Sequence, residues 1–292
     1  MIGSAVCDAL LARGDEVVGL TRDPNRARGT NPTVTWHPWH PTAERPPEAA
    51  FHGVDGILNL IGENINQRLT PAAKERIRDS RVRATKNLVD GLLAATPTPK
   101  VLVSQCAVGY YGDRGEAIVD ESTPPAEDWT GQLCADWEAA ALEASTDDVR
   151  VAVMRSAPVL DPEGGLMKQL LLPFKLGLGG PLAGGRQYMP LIHRDDEVAL
   201  FLWALDDESV AGALNASAPN PVTNREFSKA LGRVLRRPAV APVPRAALVA
   251  MRGEELTDQI LGSLRVVPRR ALDLGFTFRF PEIEPALRDL LR

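Results

Sequence analysis

The chain has 292 residues, 44% of them hydrophobic and 24% charged, with 33 Lys and Arg against 38 Asp and Glu and a formal net charge of −5. That is core-forming material for one large or two modest soluble domains, without the basic excess that a phosphate backbone demands and without a run near the ~18 apolar residues of a membrane span. Neither nucleic acid nor membrane is therefore expected as a partner, and with no signal-peptide pattern at the N-terminus the expected location is cytoplasmic.

The first predicted element is a helix, Ala5 to Ala12, with Ile2, Ala5, Val6, Ala9 and Leu10 on one face of a 3.6-residue period. Arg13-Gly14-Asp15 ends it, and Glu16 to Leu20 reads as a buried strand closing on Thr21-Arg22. Helix, tight turn, strand and basic residue make the second half of a Rossmann βαβ unit. The first strand and the two leading glycines of its fingerprint do not precede it, so Gly3 is the candidate for the glycine that lets helix and strand pack closely. Loop amides and the helix N-terminus hold a dinucleotide's pyrophosphate, so half of that cradle is expected to be absent, through a start assigned too late or a fragment or variant with impaired cofactor affinity.

Thr33 to Trp36 is a short alternating strand candidate, and His37 to Pro47 reads as a connection in which His37 and His40 sit among prolines and tryptophans. Asp55 to Ile61 is a buried strand ended by Gly62-Glu63-Asn64, and a long helix is predicted from Thr70 to Ala94, with Thr70-Pro71 as cap and first turn. Lys100 to Ala107 and Arg150 to Ala157 are strands, with a helix over Thr130 to Ala144 between them. Beyond Pro158, glycines at Gly164-Gly165, Gly177, Gly179-Gly180 and Gly184-Gly185 predict irregular loops able to close over a ligand. Helices follow over Asp195 to Leu205 and Asn224 to Val234, then a tail of Val-Pro turns and short helices from Ala239. The expected fold is α/β, a Rossmann-type doubly wound parallel sheet lacking its first strand. Residues 1–215 form the expected nucleotide-binding domain, with loop 164–192 contributing to the substrate cleft, and 216–292 a smaller C-terminal substrate domain. Cys7, Cys106 and Cys134 are widely spaced with no CxxC pair, so reduced thiols are expected, and the four histidines show no ligand spacing, so no metal is.

Six ordered segments carry a resemblance. Val103 to Asp113, Asn59 to Ile65, Cys134 to Glu138, Pro173 to Leu182, Ile192 to Asp196 and Asn215 to Asn224 resemble the motifs of atypical, epimerase-like extended short-chain dehydrogenases/reductases, in the NAD-dependent epimerase/dehydratase superfamily. The resemblance runs from Ile2 to Leu291. It implies a Rossmann fold, NADP(H) binding, a contact between Arg81 and the cofactor, and a nicotinamide lined by Arg155 to Leu160, Val159 included. The residues argue for the phosphorylated cofactor too, since an acid ending the second strand would bond a ribose 2′-hydroxyl, whereas Thr21-Arg22 offers a hydroxyl and a guanidinium suited to a 2′-phosphate. Leu60-Ile61-Gly62, at a strand's C-terminal end, lets the backbone approach the adenine-ribose and diphosphate side.

Members of this superfamily generally use a Tyr-x-x-x-Lys helix whose ammonium makes the phenol more acidic. Here that segment reads Cys134-Ala135-Asp136-Trp137-Glu138, with both partners replaced, and Cys106 stands where a substrate-binding serine is usual. Two functions follow as expectations. In one, an NADP(H)-dependent oxidoreductase or epimerase acts on a small polar carbonyl or alcohol, drawing its catalytic groups from Tyr111, Tyr110, Cys106 or His193, the last followed by an Asp-Asp pair. In the other, NADP(H) is a sensed or regulatory ligand that is never turned over. A scaffold that binds nothing is a third possibility, and a monomer or homodimer is expected.

Overall fold

The computed structural model describes residues 2–292. Helix α1 (Ile2–Ala12) leads through Gly14, in the left-handed region at φ 91°, into strand β1 (Val18–Thr21). After α2 (Pro24–Thr30), capped by Asp23 with proline in its first turn, the chain forms β2 (Thr35–Pro38), parallel to β1. His37 thus lies in a strand, register partner of Leu20, where the sequence suggested a connection. Gly19 is needed there because a Cβ would meet the Trp36 ring at 2.3 Å.

Strand β3 (Gly56–Asn59) is followed by α3 (Pro71–Arg78), a π-turn over Asp79–Arg83, and α4 (Ala84–Ala94). The single helix expected here is therefore interrupted, and the wide turn carries Arg81. Strand β4 (Val101–Ala107) is almost wholly buried; β5 (Ile118–Val119), α5 (Trp129–Leu142) and β6 (Arg150–Ser156) follow. Next come β7 (Val159–Leu160) and α6 (Gly165–Lys175). That helix corrects the expectation of irregular loop over its span: glycines bound it, but Leu166 to Leu172 are all Leu, Met, Lys and Gln, good helix formers, Pro173 falls only in the last turn, and Met167 and Phe174 reach the core.

Strands β8 (Tyr188–Met189) and β9 (Ile192–His193) precede α7 (Arg194–Asp206) and β10 (Gly212–Ala216), which completes a four-stranded parallel sheet in the order β10-β6-β4-β3. Strands β1 and β2 form a separate pair, not hydrogen-bonded to β3. Helices α1 and α7 cover one sheet face through Val6, Leu200, Phe201 and Met154, while α4 and α5 cover the other through Leu88, Leu92, Trp137 and Leu102. The remainder is β11 (Val222–Thr223), α8 (Asn224–Leu235) with a full capping box from Thr223 and Glu226, α9 (Arg245–Arg252), α10 (Glu254–Leu261), β12 (Arg265–Val266), α11 (Arg269–Asp273) and α12 (Ile283–Leu290). Its core joins Phe227 and Leu231 of α8 to Leu287 of α12 and Phe174 of α6. Among the described residues no helix is long and apolar enough to cross a membrane.

Candidate active site

Parallel strands place their C-terminal ends, and the loops that leave them, along one rim, where ligands of open α/β sheets bind. At the end of β3 the buried Asn59 side chain donates to Thr85 Oγ1 and Ser104 Oγ, both at 2.9 Å, and accepts from the Ile61 amide at 3.3 Å. One amide thus fixes the path of Leu60-Ile61-Gly62 against α4 and β4. A Cβ on Gly62 would stand 3.2 Å from the guanidinium carbon of Arg81, so glycine lets the backbone lie against that cation. Arg81 stacks 5.1 Å from the Trp137 ring centroid, donates to the Ile77 carbonyl and to Ser80 Oγ, and has no carboxylate at ion-pair distance among the described residues. Burial lowers its pKa, and the negative charge of Glu63 opposes this only in part. Gly3, in the first turn of α1, sits in ordinary contact with Leu60, a Cβ there being 3.7 Å from Leu60 Cδ1. Thr21 closes β1 and its Oγ1 accepts from the Asp23 amide at 3.3 Å; Arg22 is exposed beside it.

The C-terminal region leans over this rim. Arg252 bonds Asn66 Oδ1 and Gln169 Oε1, Lys74 pairs with Glu255 at 2.6 Å, Gln259 donates to Thr130, and the Ser263 amide donates to Asp113. These contacts tie the loops after β3 and β4 to α6, α9 and α10.

The replaced Tyr-Lys segment lies on α5. Cys134 and Cys106 are both buried, and the Cys106 thiol donates to the Cys134 carbonyl at 3.5 Å. Burial pushes the Cys106 thiol well up, so it is held protonated. Glu138 turns to Arg155 of β6, which binds both its oxygens at 2.9 Å and is only 3% exposed. Arg155 also donates to the Tyr111 hydroxyl at 2.9 Å and to the Glu121 carbonyl at 3.2 Å, and its guanidinium carbon lies 3.7 Å from the Tyr110 ring centroid. Burial opposes its charge, but the bonds to Glu138 and Tyr111 outweigh that and raise its pKa. The Tyr111 hydroxyl donates in turn to Asn215 Oδ1 at 2.6 Å; Asn215 is bonded to Glu121 and to the Val267 carbonyl.

Of the residues that the sequence suggested for chemistry, the structure brings Tyr110, Tyr111 and Cys106 together. It puts Tyr111 and Cys106 in the interior, however. Tyr111 is fully buried with its hydroxyl engaged on both sides, and burial raises its pKa strongly. Tyr110 is only partly buried; desolvation raises its pKa and Arg155 pulls it back. His193 faces elsewhere: Nδ1 caps α7 by accepting from the Asp195 amide at 3.0 Å, the ring stacks on Phe280 at 3.8 Å, and Nε2 stands 3.5 Å from Asp289. An Nδ1 that accepts leaves the neutral ring's proton on Nε2, so although His193, Asp195 and Asp289 are grouped closely enough for a cation, that nitrogen has no lone pair to offer one. Val159 is buried in β7 beside Ile192, directly beyond the network.

Sequence reasoning missed the partner of Glu138. The signal was an arginine, Arg155, following the apolar run Val151 to Met154 near the end of β6, where a buried cation demands an acid. It also missed Glu197, an α7 residue whose Oε1 is 2.5 Å from Ser156 Oγ and whose Oε2 has no partner.

Comparison with known proteins agrees with this architecture. Residues 1–216 match the model of the NAD dependent epimerase/dehydratase family, and 243–290 match a domain of unknown function (DUF1731). Epimerase family protein SDR39U1 from Homo sapiens is 36% identical over 297 residues, covering 99% of this chain and 96% of its own length; its chloroplastic homolog from Arabidopsis thaliana is 37% identical over 294 residues, covering 100% of this chain and 84% of its own. The crystal structure of the human protein, determined with NADPH, superposes with a TM-score of 0.89 at 35% identity, over 99% of this chain and 95% of that one. A nucleoside-diphosphate sugar epimerase from Corynebacterium glutamicum superposes at 0.78 with 30% identity, over 99% of this chain and 56% of that one. Family model, sequence identity and superposition agree, and the chain belongs to the NAD dependent epimerase/dehydratase family.

Proposed function

We propose that the protein is an NADP(H)-binding, epimerase-like oxidoreductase acting on a small polar carbonyl or alcohol. One observation carries the reading: a half-buried guanidinium, Arg81, has no carboxylate at ion-pair distance among the described residues, Glu63 acting on it only from further off, and lies against Gly62 at the mouth of β3. A partly desolvated cation that no carboxylate pairs directly has room for an anion, and a dinucleotide phosphate is the anion that this place in the fold takes. The residues fit that cofactor. Gly3 and the first turn of α1, Leu60-Ile61-Gly62 and Arg81 would hold its diphosphate and adenine-ribose side. Thr21 and the exposed Arg22 would take the 2′-phosphate, and Val159 would lie beside the nicotinamide. The NADPH in the human relative's crystal structure supports the same choice.

When bound, such a cofactor supplies or accepts hydride. The chain's own part is to hold the substrate between the β4 and β6 ends and the overlying C-terminal region, to exclude water, and to move a proton. Residues 1–215 would form the nucleotide-binding domain and 216–292 the smaller covering domain. The test is calorimetric titration with NADPH and NADH, followed by cofactor consumption against a panel of carbonyls. Tighter binding of NADPH with turnover of at least one carbonyl is expected. Binding without turnover of any would make the protein a sensor of the cofactor, and equal or absent binding of both would refute the assignment.

A further inference from the structure

Reduction of a carbonyl needs a proton donor beside its oxygen and gains from a cation fixed near that donor. Cys134 and Glu138 supply neither from α5. The chain has three phenols, Tyr110, Tyr111 and Tyr188. Tyr111 is enclosed between Arg155 and Asn215, and Tyr188 lies under Arg265 with its amide on Ser263. Tyr110 alone is both partly exposed and on the turn leaving β4, with the Arg155 guanidinium 3.7 Å from its ring centroid and Glu138 gripping that guanidinium through both oxygens.

We propose that Tyr110 is the proton donor of this site, and that Arg155, held in place by Glu138, takes over from the neighbouring strand the electrostatic role that an ammonium has in a Tyr-x-x-x-Lys helix. The inference rests on the reductase reading above. With a reduced nicotinamide as the reductant, hydride adds to the carbonyl carbon and the C=O π pair moves onto oxygen. That oxygen takes the phenolic proton of Tyr110, leaving an alcohol, an oxidised nicotinamide and a phenolate that water reprotonates. A cation close to the ring favours the phenolate, whereas burial and the nearby Glu138 disfavour it. The groups facing Tyr110 are Arg155 from β6, Glu138 from α5, Cys106 from β4 and its neighbour Tyr111. Arg155 is then a positioning residue, and Glu138 keeps it over the ring.

With only three phenols, their ultraviolet titration is readable, and subtracting the curve of Tyr110→Phe from that of the wild type isolates Tyr110. Replacing the pair together, Arg155→Met with Glu138→Gln, leaves no lone buried charge and is expected to move the Tyr110 midpoint up by a fraction of a pH unit, the loss of Arg155 outweighing the loss of the opposing Glu138. In NADPH-driven reduction of phenanthrenequinone, Tyr110→Phe is expected to lower kcat about 100-fold or more with KM nearly unchanged. A Tyr110 midpoint indifferent to Arg155, or a Tyr110→Phe enzyme with wild-type kcat, overturns the inference. A wild type that binds NADPH and reduces no carbonyl overturns the reductase reading instead, while the titration still decides the coupling of Arg155 to Tyr110. Should the double variant not fold, Arg155→Lys, which keeps the charge but loses the flat stack, serves in its place and is expected to move the midpoint up by less.

Discussion

Replacing Glu197 by glutamine should make the protein more stable, and increasingly so as pH rises. The carboxyl is enclosed between α7 and β6, completely buried, with one oxygen bonded to Ser156 and the other without a partner. Desolvation pushes its pKa up from 4.5 to about 8, the Ser156 bond opposing this only in part. The sign follows from linkage. Below pH 4.5 both folded and unfolded chains carry the proton. Between 4.5 and about 8 the unfolded chain releases it while the fold retains it, so stability falls with rising pH; above about 8 the loss is complete. At about 1.4 kcal/mol per pH unit that interval corresponds to about 5 kcal/mol, an upper figure that relaxation around a real buried carboxylate reduces to about 2 to 3 kcal/mol. Glu197→Gln keeps the shape and a bond to Ser156 without an ionisable group. Urea midpoints of the two proteins should therefore nearly coincide near ~pH 4.5 and separate by the full amount near ~pH 8.5. A separation that does not grow with pH would refute the reasoning, because it would mean that Glu197 is already ionised in the native core.

Three further outcomes follow from the site. Arg22→Ala should weaken NADPH binding about tenfold or more and leave NADH unaffected, since a charge-assisted bond to the 2′-phosphate is what it would lose; calorimetry with both cofactors decides it. Arg81→Met should lower NADPH affinity about 10- to 100-fold while leaving the cofactor-free thermal midpoint nearly unchanged, because a partly desolvated cation with no carboxylate at ion-pair distance is removed; a clear fall in that midpoint would show that Arg81 is structural. Tyr111→Phe leaves Asn215 Oδ1 and an Arg155 N–H without their partner and should cost about 1 to 3 kcal/mol in urea unfolding. Loss of turnover beyond that loss of stability would return the chemical role to Tyr111.

What was legible in the sequence follows from how strongly each feature depends on local pattern. Strands β4 and β6 are nearly continuous apolar runs because both their faces are covered, and burial of that kind is written into every residue. The ends of α8 were readable because Thr223 and Glu226 form a local capping box. The interruption at Asp79–Arg83 was not readable, since Ile77, Arg81, Thr85, Leu88 and Leu92 are spaced well enough for one continuous helix. The acids opening α7 read differently. Asp195 and Asp196 stand out in the sequence only as a pair following His193, and nothing there singles out Glu197. Asp196 instead accepts the backbone amides of Arg279 and Phe280, tying α7 to the segment before α12, and Glu197 points into the core. Which side of a helix meets a neighbour far along the chain is tertiary information. The candidate site divides along the same line: its strand-end motifs are local and were legible, whereas the pairing of Glu138 with Arg155 joins two elements through a rotamer choice that no spacing reveals.

That pairing also accounts for the replacement of the lysine on α5. A lysine in place of Glu138 would face Arg155, already positive and almost fully buried, and two cations sharing a desolvated space repel strongly. With Arg155 buried near the end of β6, therefore, α5 presents an acid at position 138, and a helix-borne lysine has no favourable place there. The cation is retained but moved from helix to strand, where Glu138, Glu121 and Tyr111 fix it more rigidly than a four-carbon ammonium stem would be. The change at Glu138 is then an electrostatic rearrangement around Arg155 rather than a simple loss. Double-mutant cycles on Glu138 and Arg155 should accordingly give a coupling energy comparable with either single effect.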